Sequence, residues 1–393
     1  MPVQEVVSEQ PYRFVPPYHS RFWWRLVERG LPWYLRRYWG IERTELRGVE
    51  HLRRSLAGNH GVLLAANHPR PCDPLVVGEL SRRVWKPFFS MASWHLFMNG
   101  GWQAWLMHKL GGFSVFREGV DRTAINTAID ILVSAERPLL IFPEGAVSRT
   151  NDRLNPLLEG TALIARSAAK RRQKAGLGEV VVHPVAVRYH FLGDLRAAVE
   201  PVVAEIETRL TWHAATQMPL TERIAKVGQA LLTLKELEHL GRPQTGELHE
   251  RLNGLIDHLL VPLERQWLTG DGATSTLVRV KRLRAAIVPT LIAGKLKEID
   301  KRHRWQQLAH CYLAQQLSWY PPDYLRDDPT PERILETVER LEEDVTDRAR
   351  IHRPLSAVIE VGEAIPVATR RDRQSTNDEL LETIAARLNG LLK

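Results

Sequence analysis

Short apolar runs alternate with helical periodicity in the first half of the chain. Residues 61–66 (GVLLAA), 139–142 (LLIF) and 180–187 (VVVHPVAV) are almost wholly apolar, which is typical of strands buried on both faces. Between them, residues 122–134 have helical spacing. Buried strands that alternate with helices predict an α/β fold, with a mostly parallel sheet flanked by helices.

The pattern changes between residues 205 and 350. Leucine recurs there at helical spacing among charged residues, and that stretch of sequence holds no strand-like run. Strand character returns at 356–361 (SAVIEV), and a final helix is predicted from Asn377 or Asp378 to Leu392. The helical block is therefore predicted to be a large insertion within the α/β domain.

These patterns divide the 393 residues into four segments. Residues 1–58 are predicted to form an amphipathic helical segment, and residues 59–204 the α/β core. The helical insertion takes residues 205–350. Residues 351–393 supply the returning strand and the C-terminal helix of the core.

Composition and charge narrow the class of protein. Hydrophobic residues make up 44% and charged residues 25% of the chain, which excludes a disordered, collagen-like or disulfide-scaffold protein. The 54 basic and 46 acidic side chains leave a net charge of +8, which favours phosphates, anionic lipids or nucleic acid as partners. The sequence lacks basic runs interleaved with aromatics and zinc-finger spacings, so we expect no nucleic-acid partner.

Cysteine usage and hydropathy bear on the compartment. Cys72 and Cys311 lie far apart, without CxxC or zinc-like Cys/His spacing, so we expect no disulfide, no metal and a reducing cytoplasm. The first residues lack the order of a secretory signal. The longest apolar run, 285–294, is shorter than a membrane span, so the chain is not expected to cross a bilayer.

The segment 20–40 is rich in tryptophan and arginine. It holds five arginines and Trp23, Trp24, Trp33 and Trp39 against one acid, Glu28. Tryptophan favours the headgroup region and arginine is attracted to anionic lipid, so the segment predicts peripheral association with the cytoplasmic face of a membrane. In the alternative, the rings pack on the main domain and the arginines form a solvated face.

The motif NHPRPCD, residues 67–73, follows the strand GVLLAA directly. Pro69 and Pro71 prevent a regular helix, so His68 and Asp73 must meet across a loop. Asp73 precedes a proline and an apolar stretch, which predicts a helix N-cap. This places His68 at the carboxyl end of a strand, where α/β sheets hold ligands.

An imidazole whose Nδ1 proton is held by a carboxylate has its Nε2 atom available as a general base. Two other interpretations remain open at this point. In one, Asp73 merely caps its helix and His68 bonds locally. In the other, Cys72 is a thiol nucleophile, although no residue that would orient it is visible in the sequence.

Two further turns combine glycine with arginine. They are GGFSVFR, residues 111–117, and IFPEGAVSR, residues 141–149. Each follows or ends an apolar run, and an arginine side chain can bind phosphate through two parallel hydrogen bonds.

Together these motifs resemble the glycerophospholipid acyltransferases typified by bacterial 1-acylglycerol-3-phosphate acyltransferase. Four blocks stand in the order of that family: NHPRPCD at 67–73, GGFSVFR at 111–117, FPEG at 142–145 and VVHPVAV at 181–187. The blocks are specific jointly rather than singly. The resemblance covers about a third of the chain strongly.

The resemblance implies transfer of a fatty acyl group from acyl-CoA or acyl carrier protein to the hydroxyl of a glycerol-phosphate or lysophospholipid acceptor. His68 would be the general base and Asp73 would orient it. Arg117, with Glu144 and Gly145, would bind the phosphate-bearing end of the acceptor. No cofactor, metal or covalent acyl-enzyme is implied.

Two departures from the family pattern stand out. After FPEG, Ala146, Val147 and Ser148 precede Arg149, so that a valine stands at one common phosphate contact. Either the acceptor differs from lysophosphatidate, or Arg149 substitutes for that contact. The helical insertion is absent from compact members of the family.

Other functions stay open from the sequence. A non-catalytic lipid-binding or scaffold protein with this fold is the main alternative; Val147 favours it, and the intact His68 and Asp73 argue against it. A thioesterase would use water as the acceptor, and the sequence has no GxSxG turn of a serine hydrolase.

Overall fold

The computed structural model describes residues 11–98, 100–210, 213–269, 275–294, 296–321, 323–326, 328–370 and 378–393. Residues 1–10 of the predicted N-terminal segment and Asn377, one predicted start of the last helix, lie outside these ranges. The chain divides into two compact units. The sheet unit consists of Tyr12–Phe116, Val120–Leu192 and Arg353–Lys393, and the helical unit contains Arg117–Gly119 and Gly193–His352.

Eight strands form one sheet in the sheet unit. They are β1 (Ile41–Arg47), β2 (Gly61–Ala66), β3 (Phe89–Ser93), β4 (Gly112–Val115), β5 (Leu139–Ile141), β6 (Val180–Phe191), β7 (Leu355–Val361) and β8 (Ile365–Pro366). The order is β1-β7-β6-β2-β5-β3-β4, with β8 beside β6. Among the strand pairs that the described residues form, only β6–β7 and β6–β8 are antiparallel. The predicted α/β fold with a mostly parallel sheet is confirmed.

Helices cover both faces of this sheet. The sheet unit contains α1 (Phe22–Val27), α2 (Leu31–Trp39), α3 (Val49–Ala57), α4 (Asp73–Val84), α5 (Trp94–Met98), α6 (Gly101–Lys109), α7 (Arg122–Ser134), α8 (Gly160–Lys174) and α15 (Glu379–Leu391). Every residue of β2 is buried. Val62 and Leu64 pack in the core with α3 and α4, whereas Leu63 and Ala65 pack in the core with α7, α8 and α15. The run GVLLAA is continuous because successive side chains enter two different cores.

Two of the predicted helices begin directly after aspartates whose side chains cap them. Asp121 precedes α7 and its side chain accepts the N–H of Ala124 at 2.9 Å. Asp378 precedes α15 and accepts the N–H groups of Leu380 and Leu381. Each carboxylate satisfies donors that a first helical turn leaves without intrahelical partners.

Six further helices form the helical unit. They are α9 (Leu195–Arg209), α10 (Leu220–Leu240), α11 (Leu248–Trp267), α12 (Thr276–Ile292), α13 (Glu298–Leu317) and α14 (Pro331–Thr346). Strands are absent from the described residues of this unit. Buried ion pairs join its helices, such as Arg223 with Glu207 at 2.7 Å. Nowhere in the described ranges is a helix both long enough and apolar enough to span a bilayer.

The helical unit enters the chain between the antiparallel strands β6 and β7. Phe191 pairs with Leu355 at the end of this strand pair. One position further, the N–H of Leu192 donates to the carbonyl of Pro354 at 2.9 Å. Within the sheet unit, the two chain ends that flank the insertion are thus joined by a hydrogen bond.

Candidate active site

The loop that carries His68 is held to a neighbouring strand by the residue before it. Asn67 follows β2 and is completely buried. Its Oδ1 accepts the N–H of Val187 at 2.7 Å and its Nδ2 donates to the carbonyl of Val187 at 3.0 Å. The amide therefore extends the backbone pairing between β2 and β6 by one position, which fixes the start of the loop.

His68 and Asp73 contact each other across that loop. Nδ1 of His68 lies 2.7 Å from Oδ2 of Asp73, whose side chain is fully buried, while the His68 side chain is 16% exposed. Since an ionised carboxylate only accepts hydrogen bonds, Nδ1 carries the proton. No hydrogen bond from the described residues engages Nε2, and the Phe142 ring stacks on the imidazole at 4.1 Å. The geometry leaves Nε2 able to accept a proton.

Asp73 receives hydrogen bonds on both of its oxygens. Besides His68, Oδ2 accepts the backbone N–H of Arg70 at 2.9 Å, and Oδ1 accepts the hydroxyl of Tyr189. Helix α4 begins at Asp73 and its N-cap is Cys72, so the prediction that Asp73 is the N-cap was wrong by one position. The carboxylate binds the loop and β6 instead of the first helical N–H groups.

Cys72 lies beside this network but is poorly suited to be a nucleophile. It is 2% exposed, and its Sγ is 3.5 Å from the hydroxyl of Tyr189. Burial, together with the charge of Asp73, raises the pKa of the Cys72 thiol to about 12. A thiol is a nucleophile as its thiolate, which this environment disfavours at neutral pH.

Glu144 connects the end of β5 to the same loop. It is completely buried; Oε1 accepts the backbone N–H of His68 at 2.9 Å and Oε2 that of Asn155 at 2.9 Å. Burial raises the pKa of Glu144 to about 7, although both N–H donors act to lower it. Both oxygens thus contact backbone, and the predicted role of Glu144 in substrate binding stays a prediction.

Gly145 and Arg149 both lie in left-handed backbone conformations, with φ of 72° and 56°. The positive φ favours glycine at position 145, and a Cβ atom there would also displace the end of the Leu158 side chain. The N–H of Gly145 donates to the carbonyl of Phe142 at 3.0 Å and is engaged within the turn. The predicted substrate contacts of both residues stay predictions.

Arg117 belongs by its contacts to the helical unit, together with Glu118 and Gly119. Within that unit the buried Glu118 pairs with Arg284 at 2.7 Å. The sheet unit by itself thus brings together His68, Asp73 and Glu144, and Arg117 is not part of that group. Its predicted role in binding phosphate stays a prediction.

Sequence reasoning missed three side chains that hold the site: Asn67, Asn151 and Tyr189. Asn151 repeats the arrangement of Asn67 two positions further along β6: its Oδ1 accepts the N–H of Tyr189 at 2.6 Å and its Nδ2 donates to the carbonyl at 2.9 Å. The period of a strand is the one signal available, since Tyr189 follows Val185 and Val187 on one face of β6. No residue near Tyr189 in the sequence indicates that its hydroxyl bonds to Asp73.

Comparisons with known proteins cover the part of the chain that contains His68, Asp73 and Glu144. Residues 43–188 match the model of a family described as Acyltransferase. A 1-acyl-sn-glycerol-3-phosphate acyltransferase of Streptococcus pneumoniae (strain ATCC BAA-255 / R6) is 32% identical over 109 residues, which cover 28% of this chain and 38% of that protein. The chain thus spans well under half the length of this curated relative. No solved structure matches the chain.

Proposed function

Since residues 43–188 match the model of an acyltransferase family, we propose that this protein is an O-acyltransferase. It moves a fatty acyl group from an acyl thioester, acyl-CoA or acyl carrier protein, to a hydroxyl of a glycerol-phosphate or lysophospholipid acceptor. The observation that carries the proposal is the 2.7 Å contact between His68 Nδ1 and the buried Asp73, with Nε2 left to accept a proton.

The reaction needs a base for the acceptor hydroxyl. In the proposed step, His68 Nε2 takes the hydroxyl proton while the acceptor oxygen attacks the thioester carbonyl carbon. Asp73 stabilises the imidazolium that forms and keeps the ring oriented. The attack gives a tetrahedral intermediate without any bond between the acyl group and the protein.

Collapse of the intermediate completes the transfer. The carbon–sulfur bond breaks, the thiolate leaves, and it takes the proton from Nε2 of His68. The products are the acylated acceptor and a free thiol, and the imidazole returns to its starting state. Cys72 plays no part in this scheme, which agrees with its burial and with its raised pKa.

A phosphate-bearing acceptor fits three observations. The chain has a net charge of +8, Arg149 lies in the turn that follows Glu144, and Arg117 follows β4. The name of the pneumococcal relative specifies an acyl-sn-glycerol-3-phosphate. We assign the phosphate to Arg149, which lies in the same unit as His68, rather than to Glu144, because a carboxylate would repel it.

We further propose that α1 and α2 lie at the cytoplasmic surface of a membrane. One face of the pair is packed on the sheet unit: Trp24 is 7% exposed and bonds to Ser81, and Leu35 is in the core. The other face exposes Phe22 and Trp33 by more than 60%. Large apolar side chains beside arginines on an outer face are typical of interfacial helices.

A donor and acceptor panel tests the proposal. Purified protein is mixed with long-chain acyl-CoA or acyl carrier protein and a set of lysophospholipids and glycerol phosphate, and the free thiol and acylated product are measured. We expect thiol release that requires the acceptor. Thiol release without acceptor would indicate a thioesterase, and lipid binding without release under any combination would favour the scaffold alternative.

A further inference from the structure

Tyr189 contacts the oxygen of Asp73 that faces away from His68. It lies in β6, two positions beyond the strand predicted from the sequence, and its side chain is 1% exposed. The phenol donates to Oδ1 of Asp73, while Oδ2 accepts from His68 and from the N–H of Arg70. Each oxygen of the buried carboxylate thereby has a donor from a different part of the chain.

The phenol is held in place by the backbone beneath it. Asn151 binds both the N–H and the carbonyl of Tyr189, and Asn67 binds both groups of Val187. Asn67 directly precedes His68 and joins the His68 loop to β6, whereas Asn151 joins the segment after β5 to the same strand. Such a closed set of bonds restricts the carboxylate to one orientation.

We propose that Tyr189 is a positioning residue for acyl transfer, whose hydroxyl holds the Asp73 carboxylate so that Oδ2 faces His68 Nδ1. The inference rests on the proposed function. Without the hydroxyl, Oδ1 would be a buried acceptor with no donor, and the carboxylate would turn to satisfy it. Burial also raises the pKa of Tyr189 well above its usual value, so the phenol remains a donor over the working range of an enzyme.

Tyr189→Phe removes the hydroxyl and keeps the ring. We expect kcat to fall by roughly 10- to 100-fold while KM changes little, because the group acts on His68 through Asp73 and not on substrate. A carboxylate that has turned away from Nδ1 stabilises the protonated imidazole less, so the acidic limb of the pH–rate profile should move to lower pH. Unchanged kcat and an unchanged profile would overturn the inference.

A matched control separates this role from general stability. Tyr324 in the helical unit is also buried, and its hydroxyl donates to the buried carboxylate of Glu336. Tyr324→Phe thus loses the same kind of bond without touching Asp73, and kcat and the pH profile should stay as in the wild type. If it lowers kcat and shifts the profile as Tyr189→Phe does, the effect is not specific and the inference fails.

A double-mutant cycle tests the route through Asp73. In an Asp73→Asn background, Tyr189→Phe should cost little more, since residues that act as a unit are not additive. A full additional loss would show that Tyr189 acts independently of Asp73. If Tyr189→Phe does not fold, Asn151→Ala provides the test, because it frees the backbone of Tyr189; there too, an unshifted profile contradicts the inference.

A readout without substrate keeps this inference separate from the proposed function. The Nδ1 proton of His68 should give a downfield proton resonance in the NMR spectrum, assigned by its loss in His68→Ala. We expect the resonance to shift in Tyr189→Phe and to remain in Tyr324→Phe; an unchanged resonance in Tyr189→Phe overturns the inference. Wild-type protein without thiol release would refute only the proposed function.

Discussion

At the scale of single residues, the buried carboxyl of Glu144 makes the stability of the folded protein depend on pH. It accepts the backbone N–H of His68 and that of Asn155. Both oxygens of an ionised carboxylate can accept these N–H groups, whereas a protonated carboxyl has a hydrogen of its own on one oxygen. The turn that carries FPEG is therefore coupled to the position of His68 through one side chain.

Glu144→Gln should change how stability depends on pH. Burial raises the pKa of Glu144 from 4.5 to about 7 in the folded protein, so its contribution to stability is full below pH 4.5 and is lost as pH rises to 7. At about 1.4 kcal/mol per pKa unit, the loss is roughly 3 kcal/mol. Glutamine does not titrate, so this loss disappears in the variant.

The measurement is urea unfolding of both proteins from pH 4 to pH 8. The wild type should lose stability relative to Glu144→Gln as pH rises through this range. Glu159→Gln, which changes an exposed carboxylate in the same region of the chain, should retain the wild-type pH dependence. A constant difference between wild type and Glu144→Gln at every pH would contradict the account.

The sequence indicates some of these side chains and not others. His68 and Asp73 lie five positions apart in a proline-rich loop after a strand, so the pattern indicates that they meet. The Asn67 side chain bonds to Val187 and the Tyr189 hydroxyl bonds to Asp73, each more than 100 positions away. Such contacts follow from strand order, which periodicity does not specify, and they leave no local pattern.

At the scale of elements, one buried arginine joins several pieces of the sheet unit. Arg172 in α8 is 1% exposed. Its guanidinium donates to the carbonyls of Val133 at the end of α7, of Asn59 before β2 and of Gly178 before β6. The carbonyls at a helix end and in two turns need donors, and one fork-shaped side chain supplies them.

Arg172→Leu should destabilise the sheet unit by about 3 kcal/mol, since the carbonyls would stay buried without donors. Thermal and urea unfolding provide the measurement. Arg171→Leu is the control: this neighbour is half exposed and pairs with Asp130 at the surface, so its loss should cost less than about 0.5 kcal/mol. Equal effects of the two substitutions would contradict this role of Arg172.

The elements that sequence analysis located are those with the strongest patterns. The runs at β2, β5 and the first part of β6 are almost wholly apolar because both faces of these strands are buried. β1 went unpredicted because it is an edge strand with mostly exposed or half-buried polar residues. β6 also continues past the predicted residue 187 to Phe191, since β7 pairs with that extension.

At the scale of the whole molecule, the position of the insertion suggests that the sheet unit is complete without it. We predict that a short glycine–serine linker can replace Gly193–His352, because the flanking residues Leu192 and Pro354 are already hydrogen bonded at 2.9 Å. The shortened protein should unfold in a single cooperative transition. A protein with helical and strand signals but no cooperative transition would contradict the prediction.

Membrane association also concerns the molecule as a whole. The net charge of +8 and the exposed Phe22 and Trp33 predict binding to vesicles that contain anionic lipid, weakened by salt. Replacing both residues by serine should lower the bound fraction severalfold in co-sedimentation. Leu177→Ser, which changes another exposed apolar residue, after α8, should have little effect. Equal binding by all three proteins would argue against the interfacial helices.

The central claim is that His68 is the base for acyl transfer. Thiol release from long-chain acyl-CoA, with a lysophospholipid acceptor in excess, measures this most directly in the wild type and in His68→Ala. We predict a fall of at least about 100-fold in the variant, with wild-type rates in His249→Ala, which changes an exposed histidine of the helical unit. Thiol release at the wild-type rate in a folded His68→Ala protein would contradict the account.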